Sequence, residues 1–346
     1  MRLQFRYGFV FLTLIHTLAL SPMARAAPAS DPAFTQVAYD LGPPGATDAG
    51  ADFSRFLDSR PAAFEHSLAH VSYRIAHGDR IVIPIELNGS GPFEFIVDTA
   101  SSRTVLFDHV RDKLGIPTDP DVTMTIYGMV GEQPALVLKL DSLRIGDETI
   151  RTVEVADLPN PRADDDEADG ILGLDILERY GLLFDHTSQT FHLYSRRNGL
   201  PHSVSSWNTV HLQHQKLPTT PCAFWFFGTL LNHSASATLL DLGAGITVMN
   251  WQMAEKMGFR KADFPITAAS EELKDVVGKT EPVIMITELL IRIGQANWPN
   301  KSALVANTKI FGLLGLDEIP ATILGAGLLK DSSFAIDFKD GVLYIL

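Results

Sequence analysis

A chain of 346 residues is long enough for two ordinary domains, each with a core of its own, and its 46% hydrophobic and 20% charged content is ordinary for a globular protein. A formal net charge of -13 argues against nucleic acid as the main partner, because phosphates would be repelled, and says little about the fold. The single cysteine, Cys222, excludes an internal disulfide.

Residues 1–26 have the pattern of a secretory signal. Arg2 and Arg6 precede an apolar run over 7–20, and Ala24-Arg25-Ala26 supplies small residues at the cleavage positions. The run is too short to favour a membrane span, and no Cys lies near the cleavage site to carry a lipid. The expectation is a soluble exported protein, periplasmic, with no membrane span in the mature chain. Residues 27–80 read as an N-terminal extension or pro-segment. The stretch begins with linker composition (Pro43-Pro44-Gly45-Ala46), and scattered apolar residues over 53–71 leave room for a helix or two.

Strand signals start at Ile81. The run 81–87, the turn cluster Asn88-Gly89-Ser90-Gly91-Pro92 and the run 93–97 predict a hairpin that delivers Asp98, followed at once by Thr99, Ala100 and Ser101. Residues 104–114 place Val105, Leu106, Val110 and Leu114 at near-helical spacing, with Gly115 as a stop. A strand over 123–127, a glycine-bounded turn from Gly128 to Gly131, and a strand alternating at Leu136, Leu138 and Leu140 come next. Further landmarks are Leu143-Arg144-Ile145-Gly146, Gly170-Ile171-Leu172-Gly173 and Leu183-Phe184-Asp185. The acidic run 164–167 reads as a solvated loop.

Past a polar stretch the order repeats. The run 237–240 leads to Asp241, a helical stretch covers 251–257, and Val276-Val277-Gly278-Lys279 takes the place of the first glycine turn. Ile291-Arg292-Ile293-Gly294, Thr322-Ile323-Leu324-Gly325 and Ala335-Ile336-Asp337 then echo the three later landmarks. Counted from Asp98 and from Asp241, Thr-Val falls at +6 and +7, Lys at +15 and Gly at +17 in both copies. The chain is an internal duplication. Its parts are read as a signal at 1–26, an extension at 27–80, a first lobe at 81–195, a connection at 196–221 and a second lobe at 222–346.

When two halves pack about a pseudo-two-fold axis, equivalent acids meet across it. Two carboxyls within hydrogen-bonding distance cannot both ionise readily, so they share a proton. Such a pair can deprotonate a water molecule and protonate a carbonyl oxygen, which is amide hydrolysis without a metal or other cofactor.

Val97-Asp98-Thr99-Ala100-Ser101, the turn beside Tyr127 and Gly170-Ile171-Leu172-Gly173 together resemble a lobe of the pepsin-like and retropepsin-like aspartic peptidases, the bacterial exported group in particular. The resemblance covers about Ile81 to Leu346 in two copies. It implies a mainly β, bilobal acid-protease fold with a few short helices and a cleft between the lobes. It also implies aspartic-type endopeptidase activity on a polypeptide substrate by a monomer. Asp98 and Asp241 would be the catalytic dyad, Thr99 would brace the backbone across it, and Ser101 would hydrogen-bond the Asp98 carboxylate. Tyr127 and Gly128 would begin a flap over bound substrate.

Two departures stand out. Ala100 occupies a position where the family has Gly, although Gly243 is kept in the second copy, and Leu242 replaces the hydroxyl residue that follows the second acid. The alternative reading is therefore an aspartic-peptidase-like module of the cell envelope that binds peptides but is catalytically impaired. The histidines, His186, His192, His202, His211, His214 and His233, lack metal-ligand spacing and read as surface residues, so no metal site is expected.

Overall fold

The computed structural model describes residues 66–160, 168–217, 220–264 and 271–346. The signal-like segment, most of the extension and the acidic run 164–167 lie outside the described residues.

Apolar runs punctuated by turn residues become strands, and the fold is mainly β, with two barrel-like lobes and a few short helices. The hairpin ending at Asp98 shows the local logic. Ile81–Leu87 and Ser90–Val97 pair antiparallel, and Leu87 lies opposite Ser90. The two linking residues, Asn88 and Gly89, both sit at positive φ (51° and 76°), the primed turn that matches strand twist. The second lobe builds the same hairpin from Phe224–Leu231 and Ser234–Asp241, with Asn232 and His233 at φ 45° and 70°. His233 occupies by strain a place that glycine takes freely.

Each lobe is an eight-stranded sheet. In the first, the order is Arg74–Ile75, Ile81–Leu87, Ser90–Val97, Gly170–Leu172, Val105–Phe107, Glu148–Leu158, Glu132–Ile145 and Thr123–Tyr127. In the second it is Gln213–Gln215, Phe224–Leu231, Ser234–Asp241, Ala321–Gly325, Thr247–Met249, Ala296–Val305, Thr280–Ile293 and Glu271–Lys274. The lists correspond strand for strand, down to one extra pairing per lobe that brings the second listed strand against the seventh.

A six-stranded sheet underlies both lobes. Its two central strands, Tyr180–Asp185 and Phe334–Asp337, are the equivalent landmarks of the two halves, and they pair with each other antiparallel. Phe184 stacks on Phe334 there, with centroids 4.4 Å apart. The outer strands are Thr190–Ser195 and Ser67–Ser72 on one side, Val342–Ile345 and Asn208–His211 on the other.

Several elements differ from the sequence reading. The described end of the segment expected to hold helices is the strand Ser67–Ser72, because pairing against Thr190–Ser195 outweighs its weak local signal. The polar connection also carries two strands, Asn208–His211 and Gln213–Gln215. The first helix starts only at Asp108, since Val105–Phe107 is drawn into the sheet, and it ends as expected on Gly115 at φ 61°. His192 is fully buried, stacked on His70 at 5.6 Å, and not a surface residue. Desolvation pushes its pKa down to about 4, so it is held neutral.

Candidate active site

In each lobe the acid sits where a strand must stop. Val97 lies beside Leu172 in a parallel pair, and the Asp98 amide donates to the Leu172 carbonyl at 3.0 Å. Asp241 stands opposite Gly325 in the matching pair. The glycine closing each Ile-Leu-Gly lies directly against the loop that leaves the acid. A Cβ on Gly173 would fall 2.4 Å from the Arg103 carbonyl oxygen, and one on Gly325 would fall 2.7 Å from the Ile246 carbonyl carbon. Leu174 then donates to Ser101 O and Ala326 to Ala244 O, both at 2.7 Å. The repeated threonines at +6 complete the frame: Thr104 Oγ1 accepts from the Gly173 amide at 3.2 Å, Thr247 Oγ1 from the Gly325 amide at 3.4 Å. The shared threonine was visible in the sequence as a marker of register, but its task was not.

Asp98 and Asp241 are both fully buried. Each carboxylate rests one oxygen in a cradle of two backbone amides. Asp98 Oδ1 accepts from Ala100 and Ser101 at 2.7 and 2.8 Å, and Asp241 Oδ1 accepts from Gly243 and Ala244, each at 3.0 Å. The other oxygen of each acid has no backbone or hydroxyl donor. Asp98 Oδ2 lies hard against the opposite lobe, where a Cβ on Gly243 would come within 1.9 Å of it. Desolvation and then the Asp241 charge hold the Asp98 carboxyl well above the usual range, and desolvation pushes Asp241 up to about 7. Two ionised carboxylates offer each other no donor. A proton held between them would supply a hydrogen bond to the oxygens that lack one.

The two departures have clear structural outcomes. Ala100 leaves the cradle intact, because its amide is as well placed as that of Gly243. The brace between lobes is one-sided. Thr99 Oγ1 donates to Leu240 O at 2.9 Å and accepts from Leu242 N–H at 3.1 Å, while the Leu242 side chain is buried among apolar neighbours. Ser101 reaches Asp98 through its amide and not its hydroxyl, which donates to Arg103 O at 2.6 Å.

Thr123–Tyr127 and Glu132–Ile145 form the expected hairpin, closed by a Gly128 N–H to Gly131 O bond of 2.6 Å. Tyr127, in the last strand pair before the turn, is buried. The second lobe has a matching hairpin from Glu271–Lys274 and Thr280–Ile293. Its tip residue Asp275, which the sequence reading passed over, contacts the first hairpin. A cavity of about 660 Å³ lies between the second hairpin and the acid loop, with Gly243, Ala244, Ile96, Phe107, Asp275 and Val276 in its wall. Among the described residues, no three His, Cys, Asp or Glu side chains are grouped to hold a metal ion, and no helix is long and apolar enough to cross a membrane.

In comparison with known proteins, residues 83–176 match the family described as aspartyl protease. The match spans the first acid, the first hairpin and the first Ile-Leu-Gly, which is one lobe. No curated protein matches the chain.

Proposed function

We propose that this chain is an aspartic-type endopeptidase that hydrolyses peptide bonds through a water molecule activated by Asp98 and Asp241. The observation that carries the reading is the facing pair of buried acids, each with one oxygen cradled by two amides and one left for the partner. In the singly protonated pair, the ionised carboxylate takes a proton from water as the oxygen attacks the amide carbon. The protonated carboxyl gives its proton to the carbonyl oxygen, and as the tetrahedral adduct collapses the C–N bond breaks and the departing nitrogen takes up the proton that came from water. Both acids come from one chain, so the working unit is a monomer. The charge pattern and apolar run of residues 1–26 support export, with the periplasm as the working compartment.

The test is cleavage of a mixed peptide pool from acid to neutral pH by the mature protein, its N-terminus fixed by sequencing of the exported form. Asp98→Asn and Asp241→Asn should each reduce cleavage by about 10³-fold or more, since each removes one half of the proton exchange. Peptides bound but never cut would instead favour the impaired binding module, for which the one-sided brace at Leu242 is the motive. Cleavage that survives both substitutions would end the dyad reading.

A further inference from the structure

The cleft is roofed by two hairpin tips, one per lobe, and a single carboxylate joins them. We propose that Asp275 is a positioning residue for the hydrolysis proposed above, a clasp that holds the two tips together and must release for substrate to enter. The inference rests on the endopeptidase reading for its turnover measurements only.

Asp275 is 1% exposed, and its two oxygens do different work. Oδ1 accepts from Val277 and Lys279 at 3.1 and 2.8 Å, which shapes its own tip. Oδ2 accepts from Val130 and Gly131 at 3.0 and 2.9 Å, the amides of the other lobe's tip. Buried donors and acceptors are costly to leave unpaired, and parting the tips would strand the two amides and the Asp275 oxygen that accepts from them. The arrangement is one-sided. Where the second tip has Asp275 the first has Gly128, and a Cβ there would meet Asp275 Oδ2 at 2.1 Å. Glycine at 128 is what lets the carboxylate in.

Neighbouring contacts close the same seam. Val276 and Val277 pack into an apolar cluster of first-lobe residues that includes Ile96, Phe107, Ile126 and Tyr127. Lys309 of the second lobe pairs with Glu132 and lies 4.8 Å over the Tyr127 ring. Both partners of that ion pair are 46% exposed, so solvent screens it. Asp275 and Val276 share a cavity wall with Gly243 and Ala244, whose amides cradle Asp241, so the clasp borders the space beside the second acid.

Asp275→Asn separates the two halves of the clasp. The amide oxygen can keep the Val277 and Lys279 bonds, as asparagine does in turns, and the NH₂ then faces the Val130 and Gly131 donors. Hydrogen exchange should show Val130 and Gly131 losing protection at least about tenfold while Val277 and Lys279 keep theirs. On the best-cleaved peptide of the mixed pool, KM should fall about tenfold with kcat changed less than about twofold, since the bonds that must break for entry are gone and no reacting group is lost. Unchanged protection at all four amides would overturn the proposal.

A second pair of substitutions closes the seam covalently. A Cβ at Gly131 would stand 3.0 Å from Lys279 Cβ, so Gly131→Cys with Lys279→Cys needs only a small shift to reach the roughly 3.8 Å of a disulfide. Cys222, 2% exposed, stays out of the exchange. The oxidised double variant should lose at least about 90% of its turnover and regain it on reduction. Turnover equal in both redox states would overturn the clasp as a gate. If the parent protein cleaves nothing, the endopeptidase reading fails, and the exchange pattern alone decides the clasp.

Discussion

The two lobes have the same strand order, the same extra pairing, the same amide cradles and the same glycine behind each acid loop, yet matched places differ, and three of them bear on the seam. Ala100 faces Gly243, Thr99 faces Leu242, and Gly128 faces Asp275. What is kept in both copies is what each backbone needs for itself: an amide pair aimed at a carboxylate, and a threonine and glycine that lock the loop. What has diverged lies on the seam, where one copy can serve both lobes. Thr99 both donates and accepts across the boundary, so one hydroxyl ties the lobes and Leu242 is free to join the core. Asp275 needs a glycine opposite and could not be duplicated at the tip.

The sharpest way to break this comparison is to make the lobes more alike at the wrong place. Gly243→Ala copies Ala100 into the second lobe, but the new methyl would fall 1.9 Å from Asp98 Oδ2. The carboxylate or the loop must move, and displacing a reacting group by about 1 Å can cost about 100-fold. Turnover should drop by that order while circular dichroism stays native; an active Gly243→Ala enzyme would show that the acids sit less tightly than described. Thr99→Val is next in size. It keeps the shape and strands a buried carbonyl at Leu240 and a buried amide at Leu242, a loss of about 1–3 kcal/mol in denaturant unfolding. Leu242→Val, which strands no polar group, is the control that separates a lost brace from a lost side chain.

These contrasts also mark what the sequence could and could not reveal. Turn chemistry and apolar runs made the hairpin around Asn88-Gly89 legible, and the register at +6, +7, +15 and +17 exposed the duplication. Ser67–Ser72 was not legible, because a short polar strand is specified by its distant partner, Thr190–Ser195, and hardly at all by its own residues. Both acids could be named from the motif, but the hydroxyl of Ser101 turning to Arg103 O is decided by loop geometry that no local pattern records. Asp275 was invisible for a related reason. An acid at a hairpin tip looks like any turn residue until the other lobe's amides are placed beside it.

The acids set a pH dependence that the braces do not. Both carboxyls are raised in the folded protein, Asp241 to about 7, against an unfolded value near 3.8. The folded pair therefore holds its proton more tightly than the unfolded chain does. The associated stability is fully present below the unfolded value and is lost as pH rises through about 7. Unfolding free energy should fall on the order of 2 kcal/mol between pH 5 and pH 8, and Asp241→Asn should flatten that slope. Turnover should rise over the same range, as the pair loses the first of its two protons and becomes the singly protonated form, and fall only at higher pH, where Asp98 gives up the proton it must donate. A parent and an Asn variant with parallel stability curves would mean that the pair does not share a proton.

The smallest effect is the most telling about the first lobe. Ala100→Gly restores the residue type of Gly243 where the structure shows no need for it. Ala100 is fully buried, is not among the residues at positive φ, and already gives Asp98 a 2.7 Å amide bond. Glycine would widen the unfolded ensemble and remove one buried methyl, a stability loss of about 1 kcal/mol, and it would leave the cradle where it is. The expected result is a slightly lower Tm and turnover within about twofold of the parent. A large gain in turnover would mean that the methyl had been holding Asp98 out of line. The first lobe, and not the one carrying Leu242, would then be the weaker half of the dyad.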